Sequence, residues 1–271
     1  MRVGLVQMCA GDEVRANIET ASAGIREAAR QGAALIGTPE MTSIMDMRKG
    51  ALLAKAKPEA EDEALPAFRG LAAELGKILL IGSLPIRVSA EKCANRSYLL
   101  GEDGEILARY DKIHMFDVEV GDGQTYRESA KFERGTKAVL AQAKAWKIGL
   151  TVCYDVRFPH LYRTLAKAGA GLLTVPAAFT RVTGEAHWHV LLRARAIETG
   201  SYVMAPAQAG RHQDGRETYG HSLLVGPWGE ILAEGDATGQ EVLIADIDRD
   251  AVREARRRIP ALQHDVPIAA S

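Results

Sequence analysis

The chain is poor in the features that would set it apart from ordinary globular proteins. Its 271 residues hold only three cysteines, Cys9, Cys93 and Cys153, far apart and without a C-x-x-C pair. That excludes a disulfide-stapled scaffold and predicts free thiols in a reducing cytoplasm. Charge of one sign is missing too. The 34 Lys+Arg face 35 Asp+Glu, a formal net charge of −1, which leaves no electrostatic footprint for nucleic acid. No apolar run approaches the ~20 residues of a membrane span. The opening Met1-Arg-Val-Gly-Leu-Val-Gln-Met8 is too short for a signal-peptide core, so a cytoplasmic protein without membrane contact is expected. There is no Walker A segment and no G-x-G-x-x-G opening a helix, which argues against a phosphate-binding enzyme. His187 and His189 lack the i,i+4 spacing of a helical zinc site, and His212, His221 and His264 are scattered, so neither metal nor cofactor is predicted.

What is present is an alternation of short apolar runs with helical patterns. Strands are predicted at Arg2 to Met8, Ala33 to Thr38 and Lys77 to Leu84, with helices at Val14 to Gln31 and Glu63 to Leu75, ended by Gly32 and Gly76. Tyr98 to Gly101 and Glu105 to Tyr110 flank Asp103-Gly104, a hairpin signal. The pattern then returns: strands Ile148 to Val152, Leu172 to Pro176 and Tyr202 to Ala207, helices Pro159 to Ala168 and Glu185 to Thr199. A second hairpin follows, in which Ser222 to Ala233 aligns without gaps to Ser97 to Ala108, sharing Gly-Glu-Ile-Leu-Ala. A strand (Glu241 to Ile247) and a basic helix (Asp250 to Arg258) close the chain. Two similar halves, each a sheet with helices on its outer face, predict an internally duplicated α/β fold, a four-layer α-β-β-α sandwich in a single domain over 1–271. The tail from about 260 is expected at a subunit interface.

Three reactive side chains share one position in this pattern. Glu40, Lys112 and Cys153 each follow the end of a strand, where α/β sheets bind ligands. A thiol, a carboxylate and an ammonium suit attack on an amide carbon: Cys153 as nucleophile, Glu40 as proton carrier, Lys112 with the backbone N–H of Tyr154 as oxyanion donors. Cys9 and Cys93 read as small buried apolar residues. A cysteine peptidase would instead need His114 or His221 as base. A catalytically inactive oligomeric scaffold would have no physical need for all three reactive groups.

Gly37-Thr-Pro-Glu40, Tyr110-Asp-Lys-Ile-His114 and Thr151-Val-Cys-Tyr-Asp-Val-Arg-Phe-Pro159 resemble the three signature segments of the nitrilase superfamily, the carbon–nitrogen hydrolases. The resemblance spans nearly the whole chain. It implies the Glu-Lys-Cys triad, the four-layer fold, homodimers or larger homo-oligomers, and a second glutamate orienting the lysine, here Glu128. Further phrases, among them Ala178-Phe-Thr-Arg-Val-Thr-Gly184 and Ala186-His-Trp188, are similar to a branch acting on small α-keto acid amides such as deaminated glutathione and α-ketoglutaramate. That implies a carboxylate-bearing substrate. Arg157 is then a carboxylate clamp, Thr183 a hydroxyl donor, and Phe179, His187 and Trp188 stand beside the substrate. The segment Met115 to Arg134 is expected to close over the site, and Gly121 to Tyr126 sits where the mammalian members of that branch differ.

Overall fold

Arg2–Gln7 (β1) is buried from Val3 onward, the run of a strand covered on both faces. It belongs to a sheet with Leu35–Gly37 (β2), Ile78–Arg87 (β3), Cys93–Leu100 (β4) and Ile106–Asp111 (β5). The computed structural model describes residues 1–46, 48, 50–121 and 125–267. Helices Val14–Arg30 (α1), Ala51–Lys55 (α2) and Ala64–Leu75 (α3) link the first strands. A ribbon of Asp117–Glu119 (β6) and Thr125–Arg127 (β7) follows, and then Phe132–Glu133 (β8), which pairs with β4.

The second half supplies Val139–Ala143 (β9), Trp146–Leu150 (β10), Pro159–Lys167 (α4), Leu172–Thr174 (β11), Arg181–Thr199 (α5) and Tyr202–Ala205 (β12). A second ribbon, Ala209–Arg211 (β13) with Glu217–Tyr219 (β14), precedes Leu223–Val225 (β15) and Ile231–Glu234 (β16). Glu241–Asp246 (β17) returns to the first sheet beside β1, and Arg249–Arg258 (α6) follows.

The layers follow from where neighbouring side chains go. Leu5, Leu35, Leu80 and Leu99 of the first sheet share a core with Ile148, Leu172, Val203 and Leu224 of the second. The next residue along each first-sheet strand, Val6, Ile36, Ile81 and Leu100, packs instead with Ile25 of α1 and Phe68 of α3. Period-2 alternation thus sends one face to the opposite sheet and the other to the helices.

Duplication extends to individual hydrogen bonds. The sheets run β17-β1-β2-β3-β4-β5 and β9-β10-β11-β12-β15-β16, the same order with β9 in the place of β17. In the first hairpin Gly101 N–H donates to Glu105 O (2.8 Å) and Gly104 N–H to Gly101 O (3.0 Å). In the second, Gly226 donates to Glu230 (2.8 Å) and Gly229 to Gly226 (2.9 Å). Gly104 and Gly229 both sit at positive φ, 78° and 89°. Both hairpins shift register at the same place, Leu99/Leu100 and Leu224/Val225.

Several element bounds differ from the sequence expectation. β4 begins at Cys93, five residues before the expected Tyr98. α5 begins at Arg181 rather than Glu185, because the Thr180 side chain caps it by accepting from Thr183 N–H. β9 and both ribbons carry too little alternation to be read as strands. Asp265 of the tail forms ion pairs with Arg163 and Lys167 of α4, while 268–271 lie outside the described residues. No helix among the described residues is long and apolar enough to cross a membrane.

Candidate active site

Glu40, Lys112 and Cys153 stand just past β2, β5 and β10, and the fold brings them together at a buried point. Lys112 Nζ lies 2.9 Å from Glu40 Oε1 and 2.8 and 2.9 Å from the two oxygens of Glu128. The Cys153 thiol lies close enough to Glu40 for each to act on the other's charge. All four are at most 8% exposed. Glu128, a loop residue by sequence, is buried here because Lys112 and the Phe116 N–H (2.6 Å) satisfy its carboxylate.

The local chain is built to hold these groups. Past β2 the backbone turns so tightly that a Cβ on Gly82 would lie 2.1 Å from Thr38 O and 2.3 Å from Pro39 O, so only glycine fits there. Ala178 N–H donates to Glu40 Oε2 (2.9 Å) and Gln208 Nε2 to its carbonyl (3.0 Å). Cys153 takes a left-handed φ of 50°, a strained strand-to-turn elbow that costs about 1–3 kcal/mol and projects the thiol. Its N–H is held by Pro176 O at 2.9 Å. Asp155, two residues on, accepts from Val152 N–H (2.9 Å), Tyr110 Oη–H (2.7 Å) and His114 N–H (3.0 Å), with His114 Nδ1 at 2.7 Å. The segment carrying Lys112 is therefore bolted at both ends to the turn carrying Cys153.

These surroundings set the charges. Burial alone would raise Glu40, but attraction and hydrogen bonding from Lys112 outweigh it and hold the carboxyl below its ordinary value. Burial likewise opposes the charged form of Lys112, yet Glu128 and Glu40 overcome it and raise the ammonium. Burial, then the adjacent Glu40 charge, pushes the Cys153 thiol well up against the lowering pull of Lys112. The resting site is a carboxylate, an ammonium and a neutral thiol.

A cavity of about 370 Å³ opens over this point, a size suited to a small organic ligand. Phe179, Thr183 and Tyr154 line it, as do Phe116, Tyr126 and Glu128 from the 115–134 segment; residues 122–124 of that segment lie outside the described residues. The other expected substrate contacts are corrected. Trp188 is fully buried, bonded through Nε1 to His221 O (2.8 Å), with its ring 4.8 Å behind Phe179. It backs the cavity wall and does not face the cavity. His187 is exposed and outside the lining, its Nδ1 accepting from Arg157 Nη2 at 3.2 Å. Arg157, the expected clamp, is likewise outside the lining, its guanidinium over the rings of Tyr154 (5.8 Å) and Phe179 (5.5 Å), which do line it; Asp155 is taken up by other partners. No histidine is among the described residues lining the cavity, which leaves a Cys-His peptidase without its base. Cys93 is buried, whereas Cys9 is half-buried beside His212 Nδ1 (3.7 Å), less enclosed than expected.

Sequence reasoning missed three residues. Asn95 Nδ2 donates to Glu40 (2.9 Å) and Glu128 (3.2 Å), while its buried Oδ1 has no partner among the described residues. Gln208 braces Glu40 from behind. Arg216, in the turn between β13 and β14, lines the cavity and acts on the Glu40 charge. Lone Asn, Gln and Arg residues carry no spacing signal, and only the three-dimensional arrangement finds them. Away from the cavity, His189 Nε2 and His221 Nδ1 meet Glu234 Oε1 at 2.8 and 3.0 Å. These three are the described residues whose donor atoms lie close enough to hold a metal ion, a grouping the scattered histidines did not announce.

Comparison with known proteins agrees with this geometry. The family model described as carbon-nitrogen hydrolase matches residues 2–257. A Synechocystis protein named deaminated glutathione amidase is 42% identical over 267 residues, 96% of each chain. Among solved structures, the C. elegans NitFhit protein superposes with a TM-score of 0.90 at 33% identity, covering 97% of this chain and 64% of that one. Saccharomyces cerevisiae Nit3, a member of branch 10 of the nitrilase superfamily, gives 0.87 at 29%, covering 97% and 96%.

Proposed function

The chain belongs to the carbon–nitrogen hydrolase family and is a hydrolase acting on amides, and we propose that its substrate is deaminated glutathione, cleaved through a thioester on Cys153. The observation that carries the chemistry is the buried contact of Glu40 with both Lys112 and Cys153 at the cavity floor. The substrate is suggested by the name of the Synechocystis relative. A second reading, an ω-amidase acting on α-ketoglutaramate, would use the same acyl half with ammonia as the leaving group.

The resting charges suggest an order of events. As the amide carbon nears Sγ, Glu40 accepts the thiol proton and the S–C bond forms, so the buried thiolate need not exist beforehand. The negative oxygen is met by Lys112 and by the N–H of Tyr154. Glu40 then protonates the nitrogen, the C–N bond breaks and the amine departs. Water attacks the thioester while Glu40 takes its proton, the C–S bond breaks, and the proton returns to sulfur. Glu128 and Asn95 hold Lys112 and Glu40 in register. We assign the keto-acid carboxylate to Arg157, which lies over the wall residues Tyr154 and Phe179, and Thr183 offers a hydroxyl. No cofactor enters this scheme.

The test is turnover of deaminated glutathione, α-ketoglutaramate, a neutral aliphatic amide and a nitrile. The wild-type protein is expected to favour deaminated glutathione in kcat/KM. Cys153→Ser and Glu40→Gln should each lose at least about a thousandfold, with a thioester mass on Cys153 visible only in proteins that retain it. Unaltered turnover in either variant overturns the assignment. We further propose a single-domain cytoplasmic homo-oligomer. Val190 and Ile197 on the outward face of α5, 69% and 52% exposed, offer an apolar surface for a second copy, and light scattering measures the outcome.

A further inference from the structure

We propose that Arg216 forms a second anion subsite, on the leaving-group side of the cavity, that takes the terminal carboxylate of a peptide leaving group. The proposal rests on the amidase reading above and extends it. Arg216 Nη2 donates to Ala178 O (2.8 Å), and Ala178 N–H donates to Glu40 Oε2 (2.9 Å). The guanidinium thus stands one residue away from the carboxylate that hands its proton to the departing nitrogen. A leaving group released at Glu40 has Arg216 beside it in the lining, whereas Arg157 lies over the rings of Tyr154 and Phe179 and is not among the lining residues.

The side chain is positioned and incompletely satisfied. Its turn is closed by His212 N–H to Arg216 O (2.8 Å) and Gly215 N–H to His212 O (2.9 Å), with Arg216 N–H on Asp214 Oδ1 (3.0 Å). The guanidinium lies over the Tyr126 ring at 5.6 Å. Its Nε is buried without a hydrogen-bond partner among the described residues, which leaves the guanidinium incompletely satisfied, and the side chain lines the cavity, where its charge can meet a bound carboxylate. Two other arginines of the lining are already committed: Arg48 to Asp46 and Asp12, and Arg127 to Glu119. The cavity, at about 370 Å³, also holds more than a five-carbon amide would fill. A dipeptide leaving group such as cysteinylglycine fits both the space and the charge. Ammonia uses neither.

The experiment compares deaminated glutathione with the same molecule bearing its glycine carboxylate as an amide, using the wild type, Arg216→Ala and Arg216→Lys. The wild type should prefer the free carboxylate by about tenfold or more in kcat/KM. Arg216→Ala should lose that preference, and Arg216→Lys should keep part of it. Equal rates on both compounds in the wild type, or an equal fall on both in Arg216→Ala, overturn the proposal. If Arg216→Ala does not fold, the wild-type preference and Arg216→Lys still decide. A wild type that cleaves neither compound refutes the substrate reading alone. Calorimetric titration of the wild type and Arg216→Lys with cysteinylglycine and cysteinylglycinamide then judges Arg216 by itself. Tighter binding of the carboxylate form to the wild type, diminished in the lysine variant, supports the subsite, and equal binding ends it.

Discussion

At the scale of single residues, the site works by keeping a charge where burial disfavours one. Glu40 must be ionised to accept the thiol proton, so activity is lost as pH falls through its pKa. Because Lys112 holds that pKa below the ordinary carboxylate range, kcat/KM should stay flat from neutral pH down into the carboxylate region. Lys112→Met removes the cation and leaves burial unopposed. The acid limb of the residual activity should then move up by at least about one pH unit, read from a pH–kcat/KM profile; an unmoved limb would mean that Lys112 does not set the Glu40 charge. The three reactive residues were legible because each follows a strand end inside a recognisable phrase. Trp188 was misplaced for the same reason. It stands inside such a phrase, yet its Nε1–H is committed to the His221 carbonyl, a long-range bond that no local spacing reveals. Asn95 and Arg216 act through geometry alone and left no trace in the sequence.

Elements are held in register around that site by charged staples. Glu59, in a single 3-10 turn before α3, bonds Arg109 (2.8 and 3.0 Å), Arg96 (2.9 Å) and Tyr98 (2.9 Å), tying α3's approach to the strands that carry Asn95 and lead to Lys112. Burial by itself would raise the Glu59 carboxyl, but hydrogen bonds led by Arg109 bring it to about 2. A lowered folded-state pKa contributes stability above the ordinary carboxylate range that is lost as pH falls toward 2. Glu59→Gln should therefore cost about 1–2 kcal/mol at pH 7, discounted for solvent screening. It should also flatten the loss of stability between roughly pH 4.5 and 2, measured by urea unfolding across that range. Helix ends at a glycine stop were readable to within a residue, while the start of α5 was missed by four residues because its cap at Thr180 is a side-chain hydrogen bond. The ribbons β6–β7 and β13–β14 were not readable, since three-residue strands show no usable period, yet β7 and the turn between β13 and β14 supply part of the cavity wall.

For the whole molecule, the inner core draws on both sheets, with Leu5 and Leu99 among Ile148 and Leu224. Neither half can bury its inner face alone. Unfolding by calorimetry should accordingly be one cooperative transition, and two separable transitions would show halves that fold independently. The duplication itself was visible in the gapless hairpin repeat, because turn chemistry repeats in sequence what it repeats in space. Strand register carries the correspondence further. β1 pairs β2 through Gly4↔Ile36 and Leu5↔Gly37, as β10 pairs β11 through Gly149↔Leu173 and Leu150↔Thr174. Counting outward along each strand, the place of Cys153 in the first half is filled by Met8, and the place of Glu40 in the second by Ala177. Both counterparts are fully buried and apolar. The two halves thus divide the labour: of each pair of matching seats, one holds a reactive side chain and the other a core residue. A thiol-directed inhibitor shaped for this pocket has one address per chain, although the scaffold was laid down twice.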